Sequence, residues 1–338
     1  MVYKCNLEEF KNLILNRKVI CFGAGIQGQR FPLFLKNWNY EGDFLGFIDN
    51  NKKECIVVDE QKYPTYSFMQ ALNVVDNDTV VVITCLHSKE IIKQIKENEI
   101  SKNWFYISID EVAETQLMIS DYPEVRNENE GQLIPKIIHY AWFGGRKSSQ
   151  IEKNIERWKE LCIDYEFKEW NENTYDITTN AYMKQAYETK SWGFVPDYLR
   201  LDVIYKYGGI YLDTDIELIR KPDELLFQKC FASIDASLVM NLGSGFGAVP
   251  GCNIIKELRD YYDNVYFLKK DGKIDKTSCN THSLNVIKNK GFLINDSLQN
   301  VNGMNIYPMI FQGACQYTGK KRTTEKTFWI HHGNMSWM

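Results

Sequence analysis

Two aspartates one residue apart, Asp213 and Asp215, close the segment FVPDYLRLDVIYKYGGIYLDTDIE that spans residues 194–217. Alternate side chains of an extended segment share a face about 7 Å apart, so both carboxylates could reach one divalent cation. Such a pair suits a metal that holds a diphosphate. Upstream, Asp197 and Arg200 lie three apart in a stretch that reads as a helix, with Pro196 in its first turn and Gly208-Gly209 as its stop. The two residues suit either a local ion pair or charge-assisted hydrogen bonds to sugar hydroxyls, and their types alone leave both open. A second D-x-D, Asp76-Asn77-Asp78, stands just before an apolar run. It reads as an exposed turn, because Asp and Asn bond their own backbone there.

The elements that must position these residues divide between two domains, as a length of 338 residues allows. Residues 1–125 read as a small Rossmann-like unit with a parallel sheet. Strand 18–22 runs into GAGIQG, in which Gly23, Gly25 and Gly28 match GxGxxG ahead of a helical stretch at 29–38. A second strand, 44–48, ends at Asp49, where a dinucleotide fold places the acid that binds a ribose. Strands at 79–85 and 104–109 flank a helix at 89–98. Gly23, Gly25, Gly28 and Asp49 are therefore candidates to bind NAD(P) or another nucleotide, although a tight strand-to-helix turn needs the same glycines. The polar, aperiodic residues 126–133 read as a linker. The second domain, 134–338, opens on the strand-like IPKIIHYAWFGG and continues with a helix at 146–161, a strand at 165–170 and a helix at 182–189. Past the central segment come strands at 230–234 and 245–249 and a helix at 253–262.

Composition narrows the function classes. A net charge of −4 without a long basic block argues against nucleic-acid binding. No apolar run approaches the roughly 20 residues of a membrane span, so membrane contact is expected to be peripheral. Nine cysteines without a CxxC pair, and no signal peptide, point to reduced thiols and a cytoplasmic location.

The motifs IPKIIHYAWFGG, FVPDYLRLDVIYKYGGIYLDTDIEL and IHHGNMSW resemble the DxD-sugar glycosyltransferases of family 32, over about 200 residues. The resemblance implies a GT-A type domain with a mixed sheet that transfers a sugar, with retention, from a nucleotide-sugar, UDP favoured. The acceptor would be a saccharide or lipid-linked saccharide, in bacterial capsular polysaccharide or related surface glycans, at the inner face of the membrane. It further implies Mn2+ or Mg2+ at Asp213 and Asp215, nucleobase contact at Trp142 and Tyr140, and donor-sugar contact at Asp197 and Arg200. The closing Ser336-Trp337 would lie over the diphosphate. Pro196 stands where the family more often has Ser. Of the late histidines His331 and His332, His332 is taken as the third metal ligand. His139 reads as a satisfied core residue, and the Gly-rich residues 241–251 as acceptor or donor-sugar contacts. With no isolated carboxylate to act as nucleophile, front-face attack by the acceptor is preferred. Two other readings rest on the GxGxxG unit: an NAD(P)-dependent oxidoreductase, and a nucleotide-sensing module.

Overall fold

The computed structural model describes residues 4–51, 55–85, 88–123 and 131–333. Residues 126–130 of the expected linker, together with Ser336 and Trp337, lie outside the described residues. The chain forms two compact units. The first comprises Met1–Ile119 with the short segments Ala236–Leu238 and Tyr317–Lys320, and the second holds the remainder from Ser120.

In the first unit, β1 (Lys18–Phe22), β2 (Phe44–Ile48), β3 (Thr65–Tyr66), β4 (Thr79–Ile83) and β5 (Phe105–Ser108) form one sheet in the order β3-β2-β1-β4-β5. Every pairing is parallel. The near-continuous apolar runs of β1 and β4 follow from this, because a parallel sheet is covered on both faces. Val80, Val81, Val82 and Ile83 are all fully buried. Helices α1 (Leu7–Ile14), α2 (Ile26–Asn37), α3 (Ser88–Glu97) and α4 (Ile109–Ile119) connect or flank the strands. Helix α4, with Val112, Ala113 and Leu117 buried, falls within the span expected for the first domain.

The second unit is built on a seven-stranded mixed sheet. Its strands are β6 (Ile137–Ala141), β7 (Glu166–Trp170), β8 (Gly209–Tyr211), β10 (Cys230–Ser233), β11 (Phe246–Ala248), β12 (Gln299–Val301) and β13 (Met304–Tyr307), in the order β12-β13-β10-β11-β8-β6-β7. Strands β7, β6 and β8 run parallel, and β11 is antiparallel to both neighbours. A separate antiparallel pair joins β9 (Ile216–Leu218) to β14 (Trp329–His331). The helices are α5 (Ser149–Leu161), α6 (Ala181–Glu188), α7 (Pro196–Tyr207), α8 (Asn253–Asp260) and α9 (Cys279–Ile287).

Helix α7 is central to the site. Pro196 occupies its first turn, where a missing N–H costs nothing, and Gly208 ends it at φ +66°. Every residue from Pro196 to Ile204 is buried, charged ones included. A helix enclosed on all sides can carry charge only where each charge meets a partner.

Candidate active site

Each charge on α7 is matched. Arg200, 3% exposed, places Nη2 3.3 Å from Asp197 Oδ1 and 3.4 Å from Asp213 Oδ1. Its Nε donates to Pro196 O at 3.1 Å, and its guanidinium lies 5.1 Å from the Tyr211 ring centre. Arg200 thus joins the helix to the D-x-D, so its contact with Asp197 is no surface ion pair. Asp197 also accepts from Tyr182 Oη at 3.1 Å. Burial pushes the Asp197 carboxyl up to about 7, against the opposing pull of Arg200. Two residues beyond Arg200, buried Asp202 accepts from Tyr175 Oη and Lys206 Nζ, both at 2.6 Å, and faces Arg259 Nη1 at 3.4 Å.

Asp213 and Asp215 are not on a strand. Residues 212–215 link β8 to β9, and Ile216 N donates to Asp213 O at 3.1 Å, which closes a tight turn. The turn brings the carboxylates together, where extended alternation would hold them about 7 Å apart. Asp213, Asp215 and His331 each offer one ligand atom, and these atoms lie within 4.8 Å of one another. Two carboxylates and an imidazole are a donor set that divalent manganese accepts.

The choice between the histidines reverses the sequence expectation. Strand β14 pairs with β9 so that His331 stands opposite Ile216, and its Nε2 reaches Asp215 Oδ1 at 3.4 Å. His332 instead pairs through Nε2 with Glu217 Oε2 at 2.9 Å. Neighbouring residues on a strand face opposite ways, so only one of the two could point at the turn. The Gln316 amide meets His331 Nδ1 and leaves Nε2 for the carboxylates. Burial disfavours charge on His331, but the hydrogen bond to Asp215 and the charges of Asp215, Asp213 and Asp235 together outweigh it and raise the pKa. Burial likewise raises that of Asp213, with Arg200 opposing.

The Gly-rich loop between β10 and β11 closes the site. A Cβ on Gly243 would stand 3.0 Å from Asp213 Oδ2 and 3.1 Å from Arg200 Nη1. Asn241 fixes the loop, accepting from the amides of Gly243 and Ser244 at 2.8 and 3.2 Å while donating to Asp235 Oδ2 at 2.7 Å.

Trp142, half-buried just past the end of β6, donates from Nε1 to Gly145 O at 2.8 Å. Tyr140, expected to contact the nucleobase with it, lies on β6 itself. Only 4% exposed, it packs edge-on against Trp158 and its hydroxyl donates to Glu169 at 3.2 Å.

His139 is satisfied, as expected. Nε2–H donates to Gly208 O at 2.9 Å, and Nδ1 accepts from Trp170 Nε1 at 3.1 Å. Burial lowers its pKa to about 4. The unfolded ring titrates near 6.5, so this group's contribution to stability is complete above that pH and declines as pH falls toward 4. In nitrogen-15 spectra the His139 ring should stay neutral and Nε2-protonated from pH 8 down to about 5. A midpoint near 6.5 in the folded protein would refute this.

In the first unit the glycines answer to packing. Gly23 has φ +117°, and a Cβ on Gly28 would lie 1.9 Å from Gly23 O. Of the three motif glycines, Gly25 faces open space. Asp49, expected to bind a ribose, accepts from Ala24 N and Asn51 N, both at 2.9 Å, and so ties down the glycine turn itself. Asp76 accepts from Thr79 Oγ1 at 2.6 Å and from Asp78 N at 3.1 Å, the self-bonded turn expected of that D-x-D.

Residues 148–232 match the family model described as the glycosyltransferase sugar-binding region containing the DXD motif. The matched span lies within the second unit. The matched span contains Asp197, Arg200, Asp213 and Asp215, while Gly243 and His331 lie beyond it. Inositol phosphoceramide mannosyltransferase 3 of Schizosaccharomyces pombe is 32% identical over 106 residues, 29% of either chain. The mannosyl phosphorylinositol ceramide synthase CSH1 of Saccharomyces cerevisiae is 28% identical over 155 residues, 41% of this chain and 39% of its own. The chain thus spans only 29% and 39% of the length of these relatives. Among solved structures, the PaToxG glycosyltransferase superposes on 45% of this chain and 64% of its own at 15% identity and a TM-score of 0.31. A score so low does not bear on the fold.

Proposed function

We propose that the DXD glycosyltransferase region transfers a hexose, with retained configuration, from a nucleoside-diphosphate sugar to a saccharide or lipid-linked acceptor. The observation that carries this is the gathering of Asp213, Asp215 and His331 within 4.8 Å, tied through Arg200 to buried Asp197. A divalent cation held by those three residues would act as a Lewis acid on the departing diphosphate. Arg200 fixes Asp213 and Asp197 relative to each other, so the diphosphate and sugar ends of the site keep one spacing. Asp197, its pKa raised by burial, exchanges hydrogen bonds with sugar hydroxyls. Both carboxylates nearest the sugar are held by Arg200, which favours front-face attack over a covalent intermediate. Trp142, part-exposed just past the end of β6, would stack on the base. The names of the fungal relatives favour mannose and a lipid-linked acceptor.

The test is a panel of UDP- and GDP-hexoses with manganese, following nucleoside diphosphate release. Release from at least one donor, abolished by EDTA and reduced at least about 100-fold in Asp215→Asn, is the expected result. No release from any donor, or release indifferent to EDTA, would sink the proposal.

A further inference from the structure

The loop that carries Trp142 contains two consecutive glycines, Gly144 and Gly145, at φ +81° and +126°. Such a pair has great backbone freedom, so something outside it must hold the loop to one shape. Its ends are tied to β7. Trp142 N donates to Trp170 O at 2.9 Å, and Lys147 Nζ meets Glu169 Oε1 at 2.6 Å. Its middle rests on a ring. A Cβ on Gly144 would fall 2.3 Å from both Cδ2 and Cε2 of Trp192 and 2.6 Å from its Nε1, whereas a Cβ on Gly145 would meet nothing within 4 Å. Equal approach to the two ring-fusion atoms places Gly144 over the face of the indole.

Trp192 is itself held. Its ring centre lies 5.2 Å from that of Tyr187 on α6, edge-on at 72°, and Tyr187 meets buried Phe143 at 6.2 Å and 84°. Phe143 belongs to the same loop, so the three rings and α6 brace it from the side on which Gly144 packs. Trp142 feels this arrangement through the bond from its Nε1 to Gly145 O at 2.8 Å. Where Gly145 stands depends on Gly144, and Gly144 is set by Trp192.

We propose that Trp192 is a positioning residue for the nucleotide end of the site: its indole face seats Gly144, and Gly145 O then orients the Trp142 ring for the base. This rests on the reading of Trp142 as the base-stacking ring. Trp192 acts through the loop rather than by touching the nucleotide. A flat, rigid seat restricts the two glycines before the nucleotide arrives, which leaves less to be ordered on binding. Glycine suits position 144 on both counts, because its φ is positive and any Cβ would overlap the indole.

The test is calorimetric titration in the presence of manganese with UDP, GDP and pyrophosphate, the last having the diphosphate but no base. In Trp192→Leu the affinity for whichever nucleotide the wild type binds more tightly should fall about tenfold, while that for pyrophosphate stays within about twofold. Gly144→Ala keeps the indole but lifts the loop from it, and should do the same. Trp192→Phe restores a flat ring and should recover most of the loss. In turnover, donor KM should rise in Trp192→Leu with kcat within about threefold of wild type. Equal weakening of nucleotide and pyrophosphate would make Trp192 a general structural support and overturn the assignment. So would unchanged nucleotide affinity in Trp192→Leu and Gly144→Ala alongside weakened binding in Trp142→Ala. If Trp142→Ala binds nucleotide as the wild type does, the stacking reading itself fails and takes the assignment with it. Either of Trp192→Leu and Gly144→Ala decides if the other fails to fold.

Discussion

Replacing Arg200 by Met is expected to cost about 3–5 kcal/mol of stability in a urea titration and to remove measurable turnover. The side chain it removes is 3% exposed and lies between Asp197 and Asp213, with ionic contacts of 3.3 and 3.4 Å. Without the guanidinium, buried Asp197 and part-exposed Asp213 face each other with their main compensation gone, and such a pair relaxes by taking up protons or opening the site. Arg200→Lys is the sharper variant. It keeps the charge but loses the planar fork that spans two carboxylates at once, so stability should recover in part while turnover remains at least about 100-fold down. Wild-type turnover in the lysine variant would mean that Arg200 serves packing alone.

Gly243→Ala should reduce turnover about 10- to 100-fold and leave stability within about 1 kcal/mol. The added carbon would sit 3.0 Å from Asp213 Oδ2, 3.1 Å from Arg200 Nη1 and 3.1 Å from Asn241 Oδ1, so one of these polar groups must yield by a few tenths of an ångström. Asn241 is held by Asp235 and by two loop amides, which leaves Asp213 and Arg200 to move. A shift of that size in a group that positions the diphosphate is costly to rate and cheap to folding. Unchanged turnover would place the loop outside the site.

The features most legible in the sequence were those set by local chemistry. The apolar runs of β1, β2 and β4, the Pro196 start and Gly208 stop of α7, and the self-bonded turn at Asp76 each depend on a few adjacent residues. What escaped were facts of tertiary pairing. That His331 and not His332 meets Asp215 follows from the register of β14 on β9, two strands more than a hundred residues apart in sequence. Strand alternation could have shown that only one of the pair reaches the carboxylates, but not which. The D-x-D was placed on a strand because its apolar lead-in continues β8, whereas the ladder stops at Tyr211 and the backbone turns. Asp202 offered no signal beyond its type, and its burial among Tyr175, Lys206 and Arg259 depends on α8 packing beside α7. Asp49 fell where a ribose-binding acid belongs, yet a nearby backbone amide claims it first.

The most direct test of the site is a manganese titration followed by electron paramagnetic resonance, with and without UDP, on wild type, Asp215→Asn, His331→Gln and His332→Gln. Loss of a ligand should weaken manganese binding at least about tenfold in the first two variants, while His332→Gln stays within about twofold of wild type. Weakening in His332→Gln with His331→Gln unaffected, or binding that ignores Asp215→Asn, would contradict the assignment of the metal to Asp213, Asp215 and His331.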